Sequence, residues 1–375
     1  MPPEVLDLFT ELAAVPSPPG DERAVADLVA RYLHDCGLQV DEDGSGEETG
    51  STMGNLYTRI EPTADGEPLF LCAHLDTVPP TGPIEPVVEE DVVRNAAGTI
   101  LGADNKAAVA AMLEGTRRVL AENRPHAGIE LVFTPKEEVG LIGAYAFDHR
   151  RLRAQVGYVY DQAAPIGVVI LGAPFSQSME VTFHGRAAHS GMHPDDGRSA
   201  ILAAARAISE MRLGRVDEDS TANVGTIHGG TATNIVPEWC TFVAEARSQD
   251  ERKLADLVQE MQDAVTFAAG VADCDVETTF RKSYRGYRFA RSDHAVELAA
   301  RALESCGYAV SFDLSGGAAD ANVFNERGLA CVNLANGMTD IHTPAERIAV
   351  ADLDAMVDVT LALFDAALAS AGRVR

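Results

Sequence analysis

A histidine and an aspartate close a short apolar stretch early in the chain, and both residue types bind metal ions. Residues 68–75 are almost entirely apolar and are flanked by glycine and proline, which predicts a buried strand. Because strand side chains alternate between faces, His74 and Asp76 are expected on one side at the strand's carboxyl end, where open α/β sheets bind ligands. An imidazole is a good Zn²⁺ ligand, and a carboxylate two residues further on can fix its tautomer. Taken alone, a His-x-Asp pair is as typical of a structural role.

Asp104 lies where a glycine-bounded loop runs into an alanine-rich segment of strong helix propensity, within residues 95–113. A carboxylate at the start of a helix commonly caps it, and this is one interpretation of Asp104. The other interpretation is a carboxylate that bridges two metal ions.

Two adjacent glutamates follow the next apolar run. Residues 130–135 are predicted to form a buried strand, which leads directly to Glu137 and Glu138. Adjacent carboxylates near a helix start often do no more than favour the helix dipole. Beside a metal site they suit a division of labour, in which one carboxylate binds metal and the other moves protons to and from an activated water.

Two further ligand-type residues come after predicted strands. Asp161 follows residues 156–160, and His342 lies in a loop that follows residues 330–334. Chance placement does not explain so many ligand-type residues at the ends of core strands. The sequence therefore predicts a metal site at this edge of a sheet.

Length, composition and charge restrict the class of protein. The 375 residues exceed the usual size of a single core, so two domains are expected. Hydrophobic residues (46%) and charged residues (23%) are in ordinary proportion, and the net charge of −27 argues against nucleic acid or a membrane surface as partner. The scattered cysteines indicate free thiols, and the sequence shows no signal-like or membrane-spanning stretch. A cytoplasmic protein is expected.

The pattern of apolar residues changes twice along the chain. Before about residue 173 and after about residue 288, buried strands alternate with amphipathic helices, which is typical of an α/β domain. Between these points, half-exposed strands and two helices, residues 200–212 and 252–269, predict an α+β insert on an antiparallel sheet. Residues 41–52 are acidic and rich in Gly and Ser, which predicts an exposed loop.

Seven short strings occur in the order seen in a known family: A-H-L-D-T-V, L-G-A-D-N-K-A-A-V-A, T-P-K-E-E-V-G, G-R-A-A-H-S-G, N-I-V-P-E, A-E-A-R-S and I-H-T-P-A-E. Over nearly its whole length the chain resembles the M20 family of zinc metallopeptidases, most of all the peptidase T-like branch. The resemblance implies a discontinuous catalytic domain, residues 1–173 and 289–375, of the α/β class with a mixed, mostly parallel sheet and helices on both faces. It also implies an inserted α+β lid or dimerisation domain, residues 174–288, through which a homodimer forms.

The resemblance further implies a catalytic centre with two Zn²⁺ ions per chain, for which Co²⁺ or Mn²⁺ can substitute. The implied ligands are His74, Asp104 as the bridge, Glu138, Asp161 and His342. Asp76 would orient His74, and Glu137 would be the general base on the metal-bridging water and later the acid. The peptide bond from Asp104 to Asn105 is often cis in relatives.

Other residues resemble positions where the family contacts substrate. His189 resembles the residue that polarises the scissile carbonyl, with an ordinary loop histidine as the alternative. Asn234 and Arg247 resemble residues that hold a carboxylate or carbonyl of the substrate, although Arg247 also suits a charge on a surface strand. Gly316 and Gly317 resemble a loop whose backbone approaches substrate, or they form a plain turn.

Together these features predict an enzyme that hydrolyses the amide bond of short peptides, as a tripeptide aminopeptidase does. An N-acyl-amino-acid deacylase on the same scaffold is the nearest alternative, because fold and metal site do not select the substrate. A non-catalytic metal-binding dimer is less well supported, since neither the ligands nor Glu137 is missing. The expected substrate is a small peptide or an N-acyl amino acid.

Overall fold

In the computed structural model, which describes residues 4–369, the chain divides into two units. The first unit contains the residues up to Ala173 and those from Arg288 onward, and the second runs from Pro174 to Tyr287. Each unit has its own hydrophobic core.

Helices and strands alternate through the first unit, whereas strands dominate the second. The helices are α1 (Val5–Ala13), α2 (Arg23–Asp35), α3 (Ser45–Thr49), α4 (Ala103–Ala121), α5 (Ile142–Ala146), α6 (Ala200–Glu210), α7 (Glu251–Ala272), α8 (His294–Ser305), α9 (Asp320–Glu326) and α10 (Val350–Leu368). The strands are β1 (Asp41–Glu42), β2 (Leu56–Ile60), β3 (Leu69–His74), β4 (Pro86–Glu89), β5 (Val92–Asn95), β6 (Ile129–Thr134), β7 (Val156–Gln162), β8 (Val168–Ala173), β9 (Phe175–His184), β10 (Gly214–Arg215), β11 (Ser220–Gly229), β12 (Trp239–Ser248), β13 (Asp275–Tyr284), β14 (Tyr287–Arg288), β15 (Ser311–Leu314), β16 (Ala330–Ala335) and β17 (Arg347–Ala349). Within residues 4–369, no helix has both the length and the apolar character that crossing a membrane requires.

The main sheet of the first unit has the strand order β1-β2-β6-β3-β7-β16-β8, and β15 pairs with β8. The central pairs β6 with β3, β3 with β7 and β7 with β16 are parallel, whereas β1, β2 and β8 join through antiparallel pairs. Strands β3 and β6 are buried along their whole length, as expected for apolar runs covered on both faces. The prediction of a mixed, mostly parallel sheet is confirmed.

Helix α4 is the central helix of the first unit. It contacts β3 and β7 of the sheet and also packs against α1 and α10, so nearly its entire surface is buried. Its small side chains permit this close packing: a Cβ added at Gly115 would lie 2.7 Å from the Thr360 side chain of α10. The alanine-rich composition therefore explains both the helix and its place in the core.

The expectation of an exposed loop at residues 41–52 is wrong in part, because β1 and α3 lie there. The Asp43 carboxylate accepts the backbone N–H groups of Ser45 and Asn55 at 3.0 and 2.8 Å and folds the segment back on itself. The sequence also does not predict the small sheet β17-β5-β4, since its strands are short and partly exposed.

The second unit is an antiparallel sheet of order β10-β11-β12-β9-β13 with α6 and α7 packed against it. Buried and more exposed residues alternate along β9 and β12, as a strand with one covered face requires. Phe183 and Phe242, on neighbouring strands, are fully buried in its core. The α+β character predicted for the insert is confirmed.

Candidate metal centre

The carboxylate of Asp104 lies between two imidazoles. His74, the last residue of β3, places Nε2 3.2 Å from one oxygen of Asp104. His342, in the loop between β16 and β17, places Nε2 3.2 Å from the other oxygen. A carboxylate with each oxygen directed to a different imidazole has the arrangement that a ligand shared by two metal ions needs.

Two further carboxylates extend the cluster on either side. An oxygen of Glu138 lies 3.0 Å from His342 Nε2, and an oxygen of Asp161 lies 3.9 Å from His74 Nε2. The ligand atoms of His74, Asp104 and Glu138 all lie within 4.8 Å of one another, and the same holds for His74, Glu137 and Asp161. The structure thus brings the five predicted ligands and Glu137 into one continuous group of donor atoms.

Parallel strands explain why residues so distant in sequence meet here. His74 ends β3, Glu137 and Glu138 follow β6, and Asp161 lies near the end of β7. These strands are parallel neighbours, so their carboxyl ends share one edge of the sheet. Asn333 of β16 fixes the backbone of Asp161, because its side chain accepts the Asp161 N–H and donates to the Asp161 carbonyl, both at 2.9 Å.

Asp76 contacts the site differently from the sequence-based expectation. Its carboxylate, fully buried, accepts the backbone N–H groups of Glu137 at 2.9 Å and Glu138 at 3.1 Å. His74 Nδ1 lies 2.8 Å from the Asp76 main-chain carbonyl and 3.6 Å from its carboxylate. The carbonyl is therefore the nearer partner for the Nδ1 proton, which leaves Nε2 free to bind a metal.

The pKa values of the cluster are shifted because several acidic groups are buried close together. Burial and the charge of Asp104 raise the pKa of Asp161 to about 7. Burial also raises the pKa of Glu137 well above its usual range, although the charge of His74 opposes the shift. Burial opposes ionisation of Asp104 as well, but hydrogen bonds from His342 and His74 outweigh it and lower its pKa. The hydrogen bonds that His342 makes to Asp104 and Glu138 raise the pKa of His342 to about 10.

The donor set fits divalent metal ions. Imidazole nitrogens and carboxylate oxygens are the ligands that Zn²⁺, Co²⁺ and Mn²⁺ bind in proteins. Buried carboxyl groups such as Asp161 and Glu137 resist ionisation next to their acidic neighbours, and a dication would supply the opposite charge that they need.

Three buried charged residues near the cluster have no role in the sequence-based prediction. Lys106 is fully buried, with its Nζ 2.5 Å from the Val15 carbonyl, and Asp320 accepts a hydrogen bond from the Thr134 hydroxyl at 2.5 Å. Glu346 accepts backbone N–H groups from the loop before α4 and from the first turn of that helix. The sequence shows them only as charged residues within apolar segments or within the family motifs. It does not show which groups they contact.

The remaining predicted site residues fall in two places. His189 and Asn234 are neighbours in the second unit, where the Ser190 N–H donates to the Asn234 carbonyl at 3.0 Å. Backbone N–H groups of Gly191 and Met192 donate to His189 Nδ1 at 3.2 and 3.1 Å. A neutral His189 therefore carries its proton on Nε2, as a donor.

Arg247, also in the second unit, lies on β12 within 3.1 Å of the Glu245 carboxylate. Gly316 and Gly317 belong to the first unit, in the loop between β15 and α9. The Gly317 N–H donates to the Ser315 hydroxyl at 3.1 Å. A Cβ added at either glycine would meet none of the described atoms within 4 Å, so space is open beside this loop. The peptide bond between Asp104 and Asn105 is cis.

Known proteins share both units of this chain. Residues 175–273 match the peptidase dimerisation domain of the M20 family, and residues 55–171 match peptidase family M28. An uncharacterised protein of Bacillus subtilis (strain 168), YqjE, is 37% identical over 97% of this chain and 98% of its own length.

Two solved structures share the fold at substantial identity. The aminopeptidase PepT of Bacillus cereus ATCC 10987 is 36% identical, with a TM-score of 0.88, over 97% of this chain and 98% of that one. A tripeptidase of Staphylococcus aureus subsp. aureus Mu50 is 34% identical, with a TM-score of 0.93, over the same shares of the two chains. The fold and the relatives define a metallopeptidase. The chain belongs to the peptidase T-like branch of the M20 family, which confirms the resemblance found in its sequence.

Proposed function

We propose that this protein is an aminopeptidase that releases the N-terminal residue of short peptides, tripeptides above all, at a centre for two zinc ions. The observation that carries the proposal is the position of Asp104 between His74 and His342. The names of the similar structures, an aminopeptidase and a tripeptidase, support the choice of substrate.

The ligands divide into two sets around a shared carboxylate. His74 and Asp161 would hold one ion, Glu138 and His342 the other, and Asp104 would bind both. When bound, the two ions would supply Lewis acidity, which lowers the pKa of water towards neutrality and polarises the substrate carbonyl. The Asp76 carboxylate accepts the backbone N–H of Glu138 and so holds the segment that carries this ligand.

Glu137 would transfer the protons. Its ligand-type oxygen lies within 4.8 Å of those of His74 and Asp161, so it is within reach of a water at the cluster. Burial raises its pKa, and a carboxylate with a raised pKa is a stronger base, able to accept the water proton and return it to the departing amine. The water oxygen forms a bond to the carbonyl carbon, and the C–N bond then breaks as the amine takes up the proton, which leaves an amino acid and a shortened peptide.

Residues outside the cluster would bind and polarise the substrate. His189 would donate its Nε2 proton to the scissile carbonyl oxygen, which suits the tautomer set by the two hydrogen bonds at Nδ1. Asn234 and Arg247 would hold a carboxylate or carbonyl of the peptide, and the open backbone at Gly316 and Gly317 would lie along it. The match of the second unit to a dimerisation domain supports a homodimer formed through it.

Elemental analysis combined with a release assay tests the proposal. Zinc per chain is measured, and release from free tripeptides is compared with release from the same peptides carrying an N-acetyl group and from N-acetylated amino acids, before and after chelation. The expected result is two metals per chain and chelator-sensitive release from the free peptides alone. Activity confined to N-acetylated amino acids would instead identify a deacylase. Fewer than two metals and no hydrolysis after metal addition would overturn the dinuclear mechanism.

A further inference from the structure

One buried glutamate organises the loop that leads to Asp104. Glu346 is only 2% exposed; one of its carboxylate oxygens accepts two N–H groups of that loop, and the other accepts the N–H of Asp104 itself. The donors are the N–H groups of Leu101 at 2.8 Å, Gly102 at 2.9 Å and Asp104 at 3.0 Å. The last of these belongs to the residue placed between the two histidines.

The loop needs an acceptor of this kind. Gly102 is left-handed, with φ of 79°, and Asp104 departs from helical geometry, with ψ of 102°. The first N–H groups of a helix have no partner within it. At the irregular start of α4, the N–H groups of Leu101, Gly102 and Asp104 all point to the Glu346 carboxylate. A buried N–H without an acceptor is costly, and a carboxylate makes the stronger, charge-assisted hydrogen bonds. Glu346 therefore determines the course of the backbone at this point.

Glu346 also links two segments that supply ligands. It lies four residues after His342, and the hydrogen bond from its own N–H to the Thr343 carbonyl, at 3.1 Å, closes the turn between them. This short segment thus contacts Asp104 twice, through His342 at the side chain and through Glu346 at the backbone. A shift of either contact would change the distance between Asp104 and one of the imidazoles.

We infer that Glu346 is a positioning residue of the metal centre, which sets Asp104 so that its two oxygens serve two ions at once. The inference rests on the proposed function, because it assumes that Asp104 binds metal. Glu346 belongs to neither group of neighbouring ligand atoms, and both of its oxygens face backbone N–H groups.

Glu130 provides a matched control. It is 1% exposed and likewise accepts backbone N–H groups, from Arg153 at 2.9 Å and Ala154 at 2.8 Å. Its other oxygen bonds the Tyr57 hydroxyl at 2.5 Å and the Arg59 guanidinium at 2.8 Å. It lies at the start of β6, whereas the metal cluster lies beyond the other end of that strand. Replacing Glu130 by Gln therefore disturbs an equally buried carboxylate without touching the ligands.

The test compares Glu346→Gln, Glu346→Asp and Glu130→Gln with the parent protein. Zinc affinity is measured by competition with a chelating indicator, and the visible spectrum of the Co²⁺-loaded protein reports ligand geometry. Gln keeps one acceptor oxygen but turns its amide NH₂ group, a donor, towards backbone N–H groups. Glu346→Gln should therefore weaken zinc binding about 10- to 100-fold and alter the Co²⁺ spectrum. Glu346→Asp keeps the charge but has a shorter reach, and should lose affinity to a smaller degree.

Glu130→Gln should lower the melting temperature and leave zinc affinity and the Co²⁺ spectrum unchanged. Wild-type affinity in a folded Glu346→Gln would overturn the inference, as would an equal loss in Glu130→Gln. If Glu346→Gln does not fold, Glu346→Asp decides the matter, since wild-type affinity in that variant also contradicts the inference. Failure of the parent protein to bind two metals would instead refute the proposed function.

Discussion

The carboxylate of Asp76 accepts the backbone N–H of Glu137 at 2.9 Å, and its second oxygen accepts the next amide along the chain. A buried carboxylate at the end of one strand thereby holds the acidic pair that follows the neighbouring strand. The imidazole of His74 instead lies closest to the main-chain carbonyl of Asp76. The side chain and the main chain of one residue therefore position two different parts of the site.

Replacing Asp76 with Asn should affect catalysis more than metal binding. The amide keeps one acceptor oxygen and turns a donor towards the other backbone N–H, so the segment carrying Glu137 should shift, and kcat should fall about 10- to 100-fold. The carbonyl that orients His74 is unchanged, so zinc content should stay near that of the parent protein. Steady-state kinetics and elemental analysis of the same preparation measure both quantities. Loss of zinc with kcat preserved in the remaining loaded fraction would show that the carboxylate acts on His74 after all.

Replacing Glu137 with Ala should lower kcat by about 10²- to 10⁴-fold, because no other group is assigned to carry the proton. The protein should still bind two metals, since the proposed ligand of the pair is Glu138. Glu138→Ala is the control, and it should lose metal as well as activity. Tripeptide hydrolysis and zinc stoichiometry, measured side by side, separate the two roles. Retained activity in Glu137→Ala would refute its assignment as the base.

Four of the five predicted metal ligands share one property: each follows a run of apolar residues long enough to mark a core strand, whereas Asp104 begins a helix. His74 and Asp161 are of this kind, and parallel pairing of β3 with β7 brings them together without any further information. The role of Glu346 is not predictable in this way, because it depends on the direction of backbone N–H groups. One of them, that of Asp104, lies 242 residues earlier in the chain. No pattern of residue types encodes that direction.

Asp76 illustrates a second limit. A spacing of two residues puts its carboxylate on the same side as His74, and this is compatible both with orienting the imidazole and with binding amides of an adjacent loop. The choice depends on where the segment after β6 turns, and Lys136 turns it with a left-handed φ of 56°. Lysine is not a residue type that predicts such a conformation.

His126 should make the folded protein sensitive to acid. Its side chain is buried, 3% exposed, and within the described residues Nδ1 has no hydrogen-bond partner. Burial lowers the pKa of His126 below the value of about 6.5 expected in the unfolded chain. As the pH falls through that value the unfolded chain takes up the proton first, so the free energy of unfolding declines between about pH 6.5 and the lower pKa of the folded state.

A variant with Gln at position 126 should therefore show a smaller drop in melting temperature between neutral and mildly acidic pH. The main-chain contacts of His126 with Thr63 and Ala64 do not involve the side chain and should persist. His34, whose side chain is exposed on α2, provides the control when it is replaced by Gln. An identical pH dependence in the parent protein and the His126 variant would contradict the argument. The measurements use metal-free samples, so that loss of metal at acidic pH does not change the melting temperature.

Replacing His189 with Ala should lower kcat about 10²- to 10³-fold, the effect of removing one donor to a developing oxyanion. Zinc content should not change, because the proposed ligands all belong to the first unit. His193, in the same loop, is the matched control: its side chain is 66% exposed and lies 3.9 Å from Asp196. His193→Ala should therefore leave tripeptide hydrolysis unchanged. Equal effects of the two substitutions would reduce His189 to an ordinary loop histidine, whereas a loss confined to His189→Ala, with KM little altered, would assign it to the transition state.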